Sequence, residues 1–218
     1  MRNIYGLIIS ILYIGLVILI SNLFTKASKE ASRKFIHIML ANWWIIAMIF
    51  FDNVWYACAL PAIFIVVNYL SYKFDLIKEM ERDDGKSGEK TLGTVFYAIT
   101  LFILAILSFG IWHNPLIGLV GVLIMGYGDG FAAIAGQSIK SKEFKILGST
   151  KSIAGSATMF IIALIIASSA FAHLGINLWL IKSLLVAFIA TVFEAVSPKG
   201  TDNLTVPILS SLLFICML

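Results

Sequence analysis

Apolar residues in this chain come in long unbroken runs separated by short polar interruptions. The alternation of a half-buried strand is missing, and so is the one-sided stripe of a soluble helix. The runs lie near 4–24, 35–51, 54–72, 93–112, 115–136, 151–173, 178–196 and 204–218. An α-helix needs roughly 20 apolar residues, or about 17 at the short end, to cross a hydrocarbon core about 30 Å thick. The last run is short and contains Pro207, so it is expected to enter obliquely or only part way. The pattern predicts an all-α polytopic membrane protein with about eight transmembrane helices, seven plus a short C-terminal one. These form a single transmembrane domain over 1–218. The first run is longer than the 7–15 apolar residues of a secretory leader and only Arg2 precedes it, so it reads as a retained helix.

Composition agrees: 60% of the residues are hydrophobic and 13% charged, against about 25% charged in an average soluble domain. The net charge of +4 matters through placement. Lys26, Lys29, Arg33 and Lys34 follow the first run. Lys73, Lys78, Arg82, Lys86 and Lys90 follow the third, Lys140, Lys142, Lys145 and Lys151 the fifth, and Lys199 the seventh. The other connections contain no Lys or Arg. The positive-inside rule puts the basic loops in the cytoplasm and both termini outside. Trp55, Trp112 and Trp179 fall at the charge-poor ends, as an interfacial belt requires, and Lys182 lies close enough to that side to snorkel. Basic residues confined to short loops exclude nucleic acid as a natural partner. Cys58 and Cys216 have no metal or redox spacing and are expected to be buried thiols. Residues 73–92 read either as a short surface helix or as a solvated linker.

One stretch inside the fifth run stands apart: Gly126-Tyr127-Gly128-Asp129-Gly130-Phe131-Ala132-Ala133. An Asp in the bilayer costs about 2.5–3.5 kcal/mol on insertion scales, and each helical Gly costs about 1 kcal/mol relative to Ala. One reading is a broken or loosened helix whose second half, from near Phe131, turns its N-terminal N–H groups toward an anion. The other is a packing Asp, with glycines for close helix approach. We take the stretch as functional. It is no dinucleotide fingerprint, which needs a preceding strand and a βαβ frame. Gly148-Ser149-Thr150-Lys151-Ser152 likewise lacks the order of a P-loop. It does place hydroxyls and a lysine at the start of the sixth span, which fits a phosphate site and equally a capped helix with a snorkelling lysine.

Two further clusters share the basic side. Arg33, Lys34 and His37 open the second span, with Arg33 and His37 on one helical face. Glu194, the only acid in the seventh span, precedes Lys199, Asp202 and Asn203. Asp129 lies about eight residues, roughly 12 Å, from the basic end of its span. His37, Lys151, Glu194 and Asp202 lie nearer that end. Carboxylates, lysines and helix N-termini are the parts that hold a magnesium-bound polyphosphate. A site just below a membrane surface suits a substrate with a polar head and a lipid tail.

These motifs resemble a known family. Arg33-Lys34-Phe35-Ile36-His37, Gly128-Asp129 with Ala132-Ala133 and Gly136, Lys151-Ser152-Ile153-Ala154-Gly155-Ser156, and Glu194 with Asp202-Asn203 and Pro207 are similar to the dolichol kinase, phytol kinase and CTP-dependent diacylglycerol kinase family. The resemblance covers most of the chain, about 33–210, and its specific part is GDGFAAIAG…STKSIAGSATMF. Several eukaryotic relatives carry additional N-terminal spans. The resemblance implies an integral membrane kinase with its site facing the cytoplasm. It would use CTP with Mg²⁺ or another divalent cation to phosphorylate a lipid or isoprenoid alcohol. It implies Asp129 and Asp202 as metal ligands, and Asp129, Asp202 and Glu194 as the catalytic acids. Asp129 serves as ligand or as base. Phosphate and nucleotide contacts fall to Lys151, Ser152, Gly155, Arg33, Lys34, His37, Asn203 and Lys140, with Lys142 also able to steer a polyanion. The related alternative is a phosphatidate cytidylyltransferase-like enzyme, which releases pyrophosphate where a kinase releases CDP. A transporter would need polar residues at both depths and usually repeated halves, and neither is visible. A structural scaffold has no need of Asp129.

Overall fold

A computed structural model describes residues 1–25, 29–74, 91–147, 149–198 and 200–218. The helices are α1 (Arg2–Thr25), α2 (Lys29–Ala41), α3 (Trp43–Phe50), α4 (Val54–Phe74), α5 (Gly93–Ala105), α6 (Pro115–Leu123), α7 (Gly130–Ser138), α8 (Ile153–His173), α9 (Trp179–Val196) and α10 (Asp202–Cys216). Two strands, β1 (Glu143–Ile146) and β2 (Ser149–Ser152), form an antiparallel hairpin. Helices α2 and α3 act as one span. α5 runs on into a π-helical turn, Ile106–Ile111, and α6 continues through another, Ile124–Asp129, into α7. Seven spans among the described residues are long and apolar enough to cross a membrane, and α10 is shorter. In hydrocarbon every backbone N–H and C=O must be satisfied within the chain, and helices do this segment by segment. The protein is an all-α integral membrane protein. Among the described residues the hairpin is the one departure, and most of the stretch 73–92 (75–90), together with Lys199, lies outside them.

Two compact units divide the chain, Met1–Pro115 and Leu116–Leu218. In the first, Arg2 donates from Nε to the Ile49 carbonyl at 2.9 Å. Asn3 and Asp52 exchange two hydrogen bonds, 2.6 and 3.1 Å. These bonds tie the start of α1 to the end of α3, where helix carbonyls lack partners of their own. Trp44, fully buried, donates its indole N–H to the Pro115 carbonyl at 2.9 Å, as a buried Trp requires. Pro61 within α4 removes one backbone hydrogen bond at mid-span.

In the second unit small residues let helices touch. A Cβ on Gly121 of α6 would land on the Pro207 carbonyl oxygen and Ser211 Oγ of α10. Ser211 Oγ donates to the Ile117 carbonyl at 3.0 Å, so α6 and α10 meet backbone against side chain. Lys182 donates to the Met217 carbonyl at 2.5 Å. It therefore caps the C-terminus of α10 from the neighbouring helix, where snorkelling to water was expected. Cys58 is buried, whereas Cys216 is exposed on α10, since a thiol is apolar enough to face lipid. Trp55 and Trp179 are exposed at helix starts, and Trp112 is half-buried at the end of its span.

Gly121 and Gly15 make a matched pair, because a Cβ on Gly15 meets nothing within 4 Å. Gly121→Ala should destabilise the protein by about 1–3 kcal/mol, the usual cost of overpacking, and Gly15→Ala by less than about 0.5 kcal/mol. Denaturant titration of purified protein in detergent measures both. Equal effects would contradict the α6–α10 contact.

Candidate active site

The span carrying Asp129 is continuous. Asp129 has helical dihedrals (φ −64°, ψ −41°), and the N–H of Gly130 is bonded to the Gly126 and Tyr127 carbonyls. No N-terminal N–H groups are released near Phe131, so the broken-helix reading is corrected to a wide π turn. Such turns insert an extra residue, re-aim the side chains around them, and recur at functional sites. Gly128 serves packing: a Cβ there would lie 2.5 Å from Met159 Sδ of α8. Asp129 itself does more than pack.

Three acids converge. Single carboxylate oxygens of Asp129, Glu194 and Asp202 all lie within 4.8 Å of one another. Asp129 comes from the end of the π turn, Glu194 from the last turn of α9, and Asp202 from the first residue of α10. Glu194 and Asp202 are buried and Asp129 is half-buried. The turn between α9 and α10 sets Asp202 in place. Gly200 has φ +85°, a conformation that strains other residues, and the Ser197 and Thr205 hydroxyls share a 2.7 Å hydrogen bond. Asp202 Oδ1 accepts from the Asn203 N–H at 3.0 Å, and an acid in the first turn of a helix suits the helix dipole.

Lys151 completes the group. Its ammonium pairs directly with Glu194, and both side chains are largely out of solvent. The hairpin delivers it: Lys151 sits in β2 opposite Phe144, immediately before α8. Ser152 has extended dihedrals and caps α8, its Oγ accepting from the Gly155 N–H at 3.1 Å. Ser141 Oγ accepts from the Ala154 N–H at 3.1 Å, and the Lys142 carbonyl from the Ile153 N–H at 3.1 Å. The first three N–H groups of α8 are therefore spent within the chain. Ser152 and Gly155, read from the sequence as phosphate contacts, act here as cap and capped. Gly155 also lets α7 close in, since a Cβ there would lie 3.0 Å from the Ala132 carbonyl.

The donor set fits a hard divalent cation. Octahedral oxygen ligands at about 2.1 Å lie at most about 4.2 Å apart. A small rotamer adjustment brings oxygens 4.8 Å apart into that range. Three carboxylates and one ammonium carry an excess of negative charge, which a dication offsets. No other cluster of three metal-type side chains occurs among the described residues.

The remaining sequence-predicted residues lie apart from this group or beside it. Asn203 follows Asp202 and is half-buried, and Lys140 is exposed in the segment before β1. Arg33, Lys34 and His37 belong to the first unit. Arg33 pairs with Glu30 at 2.5 Å. His37 packs edge-on against the Tyr97 ring, centroids 4.9 Å apart, and its carbonyl accepts the Tyr97 hydroxyl at 3.2 Å.

Known proteins resemble the chain over nearly all of it. It is 30% identical over 216 residues to a phytol kinase of Synechocystis sp., covering 92% of this chain and 86% of that protein. The chain belongs to the polyprenol kinase family. Other members similar to it are a probable chloroplastic phytol kinase of Triticum aestivum (28% identical) and phytol kinase 1 of Arabidopsis thaliana (30%). They align with 84% and 83% of this chain, which spans 66% and 64% of their own lengths. No protein-family model matches, and no solved structure gives a significant match.

Some supporting parts of this polyprenol kinase family site were not singled out in the sequence. Ser141 and the hairpin fix Lys151, and the period-two spacing of Phe144 and Ile146 ahead of Gly148 was their only signal. Removing Lys151 strands a buried carboxylate. Lys151→Met should cost about 3–5 kcal/mol, and adding Glu194→Gln should restore at least half of that loss. Unfolding midpoints of the two variants and wild type measure this. Simple additivity would contradict the pairing.

Proposed function

We propose that the chain is a membrane kinase that transfers the γ-phosphoryl group of CTP, or of another nucleoside triphosphate, to the hydroxyl of an isoprenoid alcohol of the phytol class. The observation that carries this is the convergence of Asp129, Glu194 and Asp202, with Lys151 paired to Glu194, in a chain whose relatives are named phytol kinase. In the transfer the alcohol oxygen bonds to the γ-phosphorus while the bond from that phosphorus to the β–γ bridging oxygen breaks. CDP leaves, and the alcohol's proton passes to a base. Positioning and charge neutralisation supply most of the acceleration.

The residues divide the work by exposure. Asp129, the least buried acid, is the one that meets substrate, as cation ligand or as acceptor of the hydroxyl proton. Asp202 would be its partner in holding a divalent cation, which when bound would offset phosphate charge. Glu194 positions Lys151 through their ion pair, and the ammonium faces the phosphates at the edge of the cluster. Lys140 and Lys142, both exposed, raise the local concentration of a polyanion. Asn203 offers a carbonyl beside Asp202. By the positive-inside rule the basic loops favour the cytoplasmic face for this end of the spans, and so for the site, with both termini on the other side. Triphosphate then arrives from water and the alcohol from the bilayer.

Asp129→Asn should lower turnover of phytol at least about 100-fold in membranes supplied with Mg²⁺ and CTP. A Mg²⁺ titration separates its two roles. Rescue by excess Mg²⁺ marks a ligand, whereas loss at every Mg²⁺ concentration marks the base. Wild-type turnover in this variant would remove Asp129 from the chemistry.

A further inference from the structure

The hairpin carries a surface that delivery of Lys151 does not require. Its second strand, β2, packs on α8 and α9, whereas β1 pairs with β2 alone. Strand β1 and its flanks read Ile-Lys-Ser-Lys-Glu-Phe-Lys-Ile-Leu over 139–147. Lys140, Lys142 and Lys145 are exposed there, against the single acid Glu143. None of the three lysines has an ion-pair partner among the described residues. Two large apolar side chains stand out beside them, Ile139 at 55% exposure and Leu147 at 68%. Leu147 holds φ +44°, a conformation that bulky residues rarely adopt. A polar residue there would spare a loop in plain water both the exposed hydrocarbon and the strain.

Water is not the only solvent within reach. Ser138 ends one span and Ile153 begins the next, so residues 139–152 start and finish at the bilayer boundary. At about 3.3 Å per residue, four-residue β1 carries the tip no more than about 13 Å from its root. Headgroups occupy about 5–8 Å of each leaflet beyond the hydrocarbon, and surface charge is felt for about 8 Å further in physiological salt. The whole hairpin therefore lies within the field of the leaflet. A soluble polyphosphate would engage the lysines and leave Ile139 and Leu147 in water. Anionic headgroups above hydrocarbon match both kinds of side chain.

We propose that this hairpin docks on the leaflet at its own end of the spans. Lys140, Lys142 and Lys145 meet anionic phospholipid headgroups, while Ile139 and Leu147 enter the interface. Because β2 runs from the tip to Lys151, docking also steadies the strand that brings this lysine to Glu194.

A nitroxide at Thr150 tests this without nucleotide or turnover. Thr150 is exposed and lies opposite Lys145 in the register, so it reports the depth of the tip. Thr150→Cys is labelled in full-length protein carrying Cys216→Ser, since Cys216 is exposed and Cys58 is buried. The protein is placed in nanodiscs of phosphatidylcholine alone, or with about one third phosphatidylglycerol, and collisions with a water-soluble paramagnetic agent are measured. The anionic bilayer should lower accessibility at least about threefold. Lys142→Gln with Lys145→Gln should reverse most of that protection, and so should about 1 M NaCl, which shortens screening to about 3 Å. The salt arm needs no further substitution, so the test stands even if the lysine variant does not fold. Leu147→Ser should raise accessibility in the anionic bilayer. Equal accessibility in the two bilayers, or protection that salt leaves unchanged, would overturn the proposal. Protection by CTP in phosphatidylcholine, with none from phosphatidylglycerol, would overturn it too and assign the lysines to the nucleotide alone. Either failure leaves the kinase reading standing, and absence of phosphorylated alcohol would leave the docking surface standing.

Discussion

Charge in hydrocarbon survives only in company, and this structure is organised by that constraint. An isolated buried carboxylate would take up a proton or leave the membrane. Asp129, Glu194 and Asp202 instead meet one another, and Glu194 pairs with Lys151, each delivered by a different element. The arrangement needs a π turn to aim Asp129, a helix end to carry Glu194, and a glycine-hinged turn to set Asp202. It also needs a hairpin to hold Lys151 at the mouth of α8. Removing any of these leaves buried charge without its counterpart.

The same constraint explains what the sequence disclosed. Spans were legible because their apolar runs are as long as the bilayer is thick, and the observed helices begin and end within a few residues of them. The acids were legible because an Asp or Glu inside such a run is costly and therefore conspicuous. The hairpin was hidden because two four-residue strands among lysines look like a charged loop. The π turn was hidden for another reason: glycines beside an Asp encode a break, a loosened helix or close packing equally well. Contact with Met159 and the continuous backbone decide between them. Ser152 shows the converse. A hydroxyl at a helix start serves a phosphate or a cap, and here Ser152 caps the Gly155 N–H.

Each unit supplies a different kind of surface. The second concentrates the ionic chemistry, with small residues drawing α6, α7, α8 and α10 close enough for short side chains to meet. The first presents an apolar cleft lined by Trp43, Leu60, Phe64 and Tyr97, the last bonded to the His37 carbonyl. Tyr97 was not apparent beforehand because one aromatic among 7 Tyr and 16 Phe carries no sequence signal of its own. Its importance appears only in what it touches.

The central claim is that a terminal phosphoryl group moves from a nucleotide to an isoprenoid hydroxyl. Incubating purified protein with phytol and CTP labelled separately at the α- and γ-phosphorus measures this directly. The account predicts that γ-label alone appears in phytyl phosphate, with CDP released in equal amount. Lipid product carrying the α-label, with pyrophosphate released, would contradict it.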